Sequence, residues 1–504
     1  MTFCRYVPLA LAAVLAFGAQ ARSEPAAGEL TIVLKEPLDT ADPCTVTPAL
    51  YGNVYRQNVI ETLTTLNPGN SEVQPRLARD WENLGGGTWR FHLREGVKFQ
   101  DGADFDAQAV VFNIQRLMNP DLTCLDRGKA QFKKLTAAVV DDHTVDVTAD
   151  PPRALMPTLM TMVGMASPNT STTELVHKPV GTGPYTFASW DPEKEIVLER
   201  FDGYWGEKPE VQKAHYIWRP ESSIRAAMVE IGEADLALDI APQDATRKDL
   251  DVSFLSGDTT RIRIANVPPL DDVRLRKALN LAFDRQALVG TVFSADTVPA
   301  TQFFLPKIKG YNHDLKLWPY DPDAARALIA EAKADGVDAD AEIKLVGRTG
   351  FYPNGEEALQ AMAQMWRDVG FNIKVEFVEA GQWLKLVNKP YAEDRPAMLI
   401  QEMHDNNNGD AEFTMHARFT TDGKSSEFSV PAYDALVAKA QQSTGDERTK
   451  LYEEANRMVA EEIVAGVPMY HMVSYMRIGP RLNFQPTGYY SGLLELSRIH
   501  FRTS

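Results

Sequence analysis

The sequence predicts an α/β protein of two lobes, and three features predict it. Its 504 residues exceed what one hydrophobic core organises. The first half is rich in short alternating runs that read as hairpins, the second in strand–helix–strand units. No internal repeat, low-complexity tract or loose linker separates the halves, so ordered crossovers are expected to join them.

Residues 30–34 read as a first strand. After the Gly85-Gly86-Gly87 turn, Trp89, Phe91 and Leu93 alternate with Arg90, His92 and Arg94, the period of a half-buried strand. Residues 144–147 repeat that pattern. Residues 185–187 and 196–198 follow the turn-forming Gly181-Thr182-Gly183-Pro184. Asp271 or Asp272 is placed to cap a helix running to about Val292, with Val273, Leu279, Ala282 and Phe283 near one face. Asp321-Pro322 is an N-cap followed by an N1 proline, and that helix is expected to stop at Gly336. A strand–helix–strand unit spans about 342–378: Ile343 and Leu345, then a helix over 356–369 ended by Gly370, then Ile373, Val375 and Phe377. Residues 398–401 read as a strand before a loop at 402–410, and 447–465 as a long helix.

Composition narrows the function. Hydrophobic residues at 44% and charged residues at 24% are the balance of a soluble globular protein. Lys plus Arg total 52 against 69 Asp plus Glu, a net charge of −17. Nucleic acids and anionic membranes repel such a chain, because binding them rests on lysines and arginines that neutralise phosphates. At the N-terminus, Arg5 precedes an apolar run over 7–17 that ends in Ala19-Gln20-Ala21. About 20 residues are needed to span a bilayer, so residues 1–21 read as a cleaved secretory signal. Its loss removes Arg5 and takes the mature chain from −17 to −18. Export leaves Cys44 and Cys124 as an even pair in an oxidising compartment, either a disulfide or two buried thiols.

Catalytic motifs are absent. The chain has no H-E-x-x-H, G-x-S-x-G or C-x-x-C. Gly423-Lys424-Ser425 resembles the end of a phosphate loop, but Arg418 stands where that loop needs glycine. Neither His404 nor His416 has a carboxylate or thiol at i+4. No enzyme activity, cofactor or metal is therefore expected, an exported hydrolase being the rival class.

Some segments match a known pattern. Gln74-Pro75-Arg76-Leu77-Ala78-Arg79-Asp80-Trp81 leads into Leu93-Arg94-Glu95-Gly96-Val97-Lys98-Phe99-Gln100-Asp101-Gly102 and Ala107-Gln108-Ala109-Val110-Val111-Phe112. Val180-Gly181-Thr182-Gly183-Pro184-Tyr185, Tyr204-Trp205-Gly206, Gly232-Glu233-Ala234-Asp235, Val273-Arg274-Leu275-Arg276-Lys277-Ala278-Leu279-Asn280 and Val467-Pro468-Met469-Tyr470 follow in order. Together they resemble the extracytoplasmic solute-binding proteins of the peptide/nickel family (family 5), which feed ABC importers. The resemblance implies a type II periplasmic-binding-protein-like fold with an enlarged first lobe and a two-stranded hinge. Lobe I is expected over 22–265 plus 482–504 and lobe II over 266–481, with the crossovers at 261–266 and 475–481. It also implies a monomeric periplasmic receptor that closes on a small polar solute and delivers it to a membrane ABC permease. A peptide or peptide-like compound is the leading ligand, with an opine, a sugar or a metal chelate as alternatives.

The same resemblance nominates the ligand contacts. Arg348, in Gly347-Arg348-Thr349-Gly350, matches an arginine that holds a ligand carboxylate; read alone, it is equally a structural ion-pair partner. The loop carrying His404, Asp405, Asn406 and Asn407 matches a site-lining segment, and by composition it is a turn. Peptide binders keep an aspartate where this chain has Asn407, so the ligand's ammonium contact falls to Asp405 or is missing. Trp383 matches a pocket tryptophan and otherwise reads as core. Asp239 falls in a loop that reaches the site from the first lobe. Cys44 and Cys124 fall in first-lobe loops that approach the cleft, which favours their pairing.

Overall fold

The computed structural model describes residues 27–503 except 39, 46–53, 125–126, 128–131, 406–408 and 487–493. The expected signal at 1–21 lies outside the described residues. Among the described residues no helix is long and apolar enough to cross a membrane.

The elements that position the site are, in chain order, β1 (Glu29–Leu34), β2 (Ala78–Gly85), β3 (Thr88–Leu93), α1 (Ala107–Met118), β4 (Lys134–Asp141), β5 (Thr144–Asp150), β6 (Tyr185–Asp191), β7 (Glu195–Arg200), β8 (Lys213–Trp218), α2 (Ser222–Glu230), β9 (Leu236–Ile240) and β10 (Asp251–Ile264). There follow α3 (Val273–Leu281), α4 (Pro322–Ala334), β11 (Glu342–Arg348), α5 (Gly355–Asp368), β12 (Asn372–Val378), α6 (Ala380–Val387), β13 (Met398–Asp405), α7 (Glu412–Phe419), α8 (Pro431–Gln442), α9 (Gly445–Arg457) and β14 (Gly466–Ile478). One large sheet runs β6-β7-β8-β1-β9-β14-β10-β13-β11-β12. A separate four-stranded sheet runs β2-β3-β5-β4, and α1 packs on it through Ala109, Val110, Ile114 and Leu117.

Burial follows the sequence pattern. Phe91 and Leu93 point inward from β3, and Asp106 and Asp321 cap α1 and α4 through their carboxylates, as short acceptors at an N-cap do. Two expected helices are cut differently. The helix from Asp272 ends at Leu281 rather than near Val292, because Asp284 caps a new short helix, Arg285–Leu288, by accepting from the Ala287 N–H. The helix expected over 447–465 starts at Gly445 and is α-helical to Arg457, then π-helical over Met458–Ile463.

Separate hydrophobic cores underlie the two ends of the large sheet. One gathers β1, β7, β8, β9 and the C-terminal segment. Another gathers α3, α4, α5, β11 and β12 around Trp366. The strands β10 and β14 pair with each other across the middle. Their register breaks between Leu255 and Thr259, opposite His471–Val473, and shifts again between Thr260 and Arg261.

Beside that break, the Thr259 hydroxyl meets His471 Nδ1 at 2.9 Å, and burial pushes the imidazole down to about 4. The unfolded chain then binds a proton near pH 6.5 that the folded chain refuses until about 4, so stability falls as pH drops through that window. His471 alone is expected to cost about 2 kcal/mol between pH 7 and pH 5. Urea midpoints at both pH values check this, and His471→Gln is expected to flatten the slope.

Cys44 and Cys124 are joined by a disulfide, with Cα atoms 4.9 Å apart. The Cys44 loop is pinned nearby: Asp42 takes a two-pronged pair from Arg116 at 2.6 and 2.8 Å, and also accepts from the Cys44 N–H. A closed loop of this length is worth about 2–4 kcal/mol. Replacing both cysteines with serine is expected to lower stability by that amount, read as a shifted denaturant midpoint.

Candidate functional site

Parallel strands decide where the site forms. β11 lies between β13 and β12 and is parallel to both. The chain leaves β11 for β12 on one side and then returns to β13 on the other. In open α/β sheets ligands bind at the carboxyl ends of the strands at such a switch, here those of β11 and β13. The other end of the large sheet repeats the device. β1 is parallel to β8 and β9, and the chain crosses from β8 through α2 to β9. Because β9 and β13 both run antiparallel to a member of the β10–β14 pair, their carboxyl ends meet it close to the register break. Ile240 pairs with Tyr475, and Asp405 with Asp258.

Arg348 is the last residue of β11 and is half-buried. Its guanidinium carbon lies 4.8 Å from the centre of the Phe351 ring and 5.8 Å from that of Trp383. These two rings meet edge to face at 5.0 Å. Trp383, on α6, is only 8% exposed and donates its indole N–H to the Gln401 carbonyl at 2.8 Å. The Gln401 side-chain oxygen accepts from the Arg348 N–H at 3.1 Å, so one buried glutamine ties β11, α6 and β13 together. Among the described residues no carboxylate lies within ion-pair distance of Arg348, and its buried Nε has no hydrogen-bond partner. A guanidinium laid on two aromatic faces and left without an anion is prepared for one that arrives.

Asp239 is near the carboxyl end of β9, with φ at +54°, a left-handed backbone that aspartate tolerates better than most residues. The turn is held from behind by α2. Arg225 donates to the carbonyls of Leu238 and Asp239, and the Ser222 hydroxyl accepts from the Ala241 N–H.

His404 lies within β13, which extends to Asp405 rather than ending at 401 as expected. It is buried and neutral: burial, then the charges of Arg418 and Arg261, push its pKa well down. Nε2 donates to the Thr414 hydroxyl at 2.6 Å, and Nδ1 faces Arg418 at 3.4 Å. Both ring nitrogens of His404 are thus engaged within the protein. Asp405 pairs through its backbone with Asp258. Asn406 and Asn407 lie outside the described residues. Arg348 and Trp383 are thus in one cluster, His404 is on the adjacent strand β13, and Asp239 is on β9, separated from β13 by the β14–β10 pair. Among the described residues no group of three His, Cys, Asp or Glu could hold a metal ion.

Beside His404 lies a buried charge cluster that the sequence did not nominate. Glu402 is buried and receives Arg261 at 2.6 Å, Arg418 at 2.7 Å and Arg263. Burial pushes its carboxyl up, but the three arginines outweigh that and hold it well below the carboxylate range. Arg261 also lies over the rings of Phe303 and Phe419, and burial pushes its guanidinium down to about 10.

A two-ended α/β sheet with facing strand ends, joined by a pair of long strands and carrying an unmatched arginine in an aromatic cradle, defines a solute-binding protein. The fold is that of type II periplasmic binding proteins. Residues 72–426 match the model of the bacterial extracellular solute-binding proteins, family 5 (middle region), and the chain belongs to that family. It is 30% identical over 397 residues to the glutathione-binding protein GsiB of Salmonella paratyphi A, covering 74% of this chain and 76% of that one. Over 500 residues it is 25% identical to di/tripeptide-binding protein 2 of Pseudomonas aeruginosa, covering 92% and 93%. Among solved structures, HbpA2 from Haemophilus parasuis superposes with a TM-score of 0.82 at 21% identity, covering 94% of this chain and all of that one.

Proposed function

We propose that this chain is the exported, periplasmic receptor of an ABC importer, and that it captures a peptide or peptide-like solute through a free carboxylate. The observation that carries this reading is Arg348, stacked on Phe351 and Trp383 at a strand switch with no carboxylate of the described chain to satisfy it. The specificities of the relatives, glutathione for one and di- and tripeptides for another, support an organic ligand with that end group.

In this reading residues 22–265 with 482–504 form one lobe and 266–481 the other, and closure flexes the paired strands β10 and β14 that cross between them. Closing removes water from around the bound solute, which strengthens the Arg348–carboxylate pair. The signal at 1–21 is removed on export near Ala21, and the closed monomer is what the membrane permease recognises. The protein binds without turnover.

Calorimetric titration with glutathione and with di- and tripeptides, each alongside its C-terminally amidated form, tests this. Saturable one-to-one binding is expected, at least about tenfold weaker for the amides. Equal affinity for acid and amide would remove the carboxylate from recognition. Appearance of cleaved product at catalytic protein concentration would favour an exported hydrolase.

A further inference from the structure

A short hairpin, Thr64–Leu66 paired with Val73–Pro75, starts in one hydrophobic core and ends in another. At its root Leu63 is buried under the four-stranded sheet, and its carbonyl accepts from the Ala78 N–H at 2.8 Å. Three residues on, Leu66 is buried in a core whose other buried members, among the described residues, all lie between Phe303 and Ala465. Val73, opposite Leu66 in the hairpin, packs on the same core. In the two-lobe reading the root belongs to the first lobe and the receiving core to the second.

The hairpin tip is held in one shape. The Asn67 carbonyl accepts from the Ser71 N–H at 2.9 Å, and the Asn67 side chain accepts from the Gly69 N–H at 2.8 Å. Ser71 is 2% exposed and has φ at +62°, a left-handed backbone that serine seldom adopts. Such a conformation persists where the surroundings over-determine it. Here part of those surroundings comes from across the chain. The Ser71 hydroxyl donates to the Lys307 carbonyl at 3.3 Å, and Gly409 approaches so closely that a Cβ there would lie 3.0 Å from the Ser71 Cβ.

The seat is fixed as well. The Ala411 N–H donates to the Lys309 carbonyl at 2.9 Å, which stitches 307–309 to 409–411. Arg448 of α9 then holds Asp410 at 2.8 and 3.0 Å and Glu412 at 2.7 Å. From the first-lobe side Arg153 also reaches Glu412, at 2.6 Å, a second tie beside the first. A fixed tip on a fixed seat is either docked or released, because packed contacts of this kind do not deform gradually.

We propose that the 64–75 hairpin is a clasp between the lobes, a conformational device that favours their closed arrangement whatever solute is held. It rests on the two-lobe receptor reading. Apparent affinity scales with the fraction of receptor in its binding-competent arrangement, so the clasp raises affinity for every solute by one factor, whereas Arg348 acts on carboxylates.

The test uses the mature full-length protein, freed of solute by unfolding and refolding with its disulfide intact, and small-angle X-ray scattering. Leu66→Asp puts a charge where leucine is buried, and Gly409→Ala fills the seat from the other lobe. Each is expected to raise the radius of gyration above that of the wild type while leaving the far-UV circular dichroism unchanged. The two substitutions lie on opposite sides of the contact, so a fold defect in one leaves the other to decide. Equal radii in wild type and variants would overturn the clasp. Trialanine and its C-terminal amide are expected to lose affinity alike in Leu66→Asp, by about tenfold. A loss confined to the acid would also overturn it. If the wild type binds neither compound, the peptide-capture reading falls and the scattering comparison still decides the clasp.

Discussion

Glu402→Ala is expected to be the most destabilising single substitution in the site, by about 3–5 kcal/mol, seen as a large fall in the denaturant midpoint. The carboxylate is 1% exposed and accepts from three arginines, two of them 2% exposed. Removing it leaves Arg261 and Arg263 charged and buried, with Glu427 the one remaining carboxylate among the described residues in reach of Arg263, at 3.5 Å. An exposed pair sets the scale: Lys98–Asp104 is as short, at 2.5 Å, yet more than half exposed on both sides. Asp104→Ala is expected to change stability by about 0.5 kcal/mol or less. Burial rather than distance separates the two cases. The sign with pH is also fixed. Because Glu402 is held well below its unfolded pKa, its stabilisation is present above that value and is lost only as pH falls through the much lower folded one. Mild acid therefore acts through the buried histidines and leaves this cluster standing.

The second large effect falls on affinity. Arg348→Ala is expected to weaken binding of a carboxylate-terminated ligand about 10- to 100-fold, the value of a charge-assisted hydrogen bond in a closed site. Stability is expected to change little, because Arg348 has no carboxylate partner among the described residues to abandon and loses mainly its contact with the Phe351 and Trp383 rings. Arg348→Lys keeps the charge but not the fork or the stacking, and is expected to recover only part of the loss. Amidated ligands should be insensitive to either substitution. Calorimetry on the three proteins with acid and amide forms makes a complete cycle; an amide that loses as much affinity as the acid would place Arg348 away from the carboxylate.

Much of the fold was legible in local signals that agree with the final packing. The cap and proline of Asp321-Pro322, the stop at Gly370 and the alternation at 342–378 each predict an element that formed. What escaped was non-local. The run Arg261-Ile262-Arg263-Ile264 is expected only as part of a crossover between lobes, and no local signal shows that both arginines are buried against Glu402 on the neighbouring strand. For the same reason Glu402 and His404 read as loop residues. A polar run fits inside a sheet only when a distant strand supplies its partners, and no window of sequence contains both. Gln401 was invisible likewise: its role is to bridge Arg348 and Trp383, which the chain brings to it from 53 and 18 residues away. The Arg153–Glu412 contact spans 259 residues and has no local signature. Asp284 was legible in principle, since an aspartate three residues past the last residue of that helix, Leu281, is a start signal that competes with continuation.

The central claim is capture of a discrete organic solute without chemistry, and native mass spectrometry of the protein exported with its own signal tests it most directly. The expected spectrum shows a mature chain beginning near Arg22, two hydrogens short for the Cys44–Cys124 bond, with a mass excess that leaves on denaturation and fragments as a peptide-like carboxylic acid. An exported chain that neither retains such a solute nor takes one up from a di- and tripeptide mixture would contradict it.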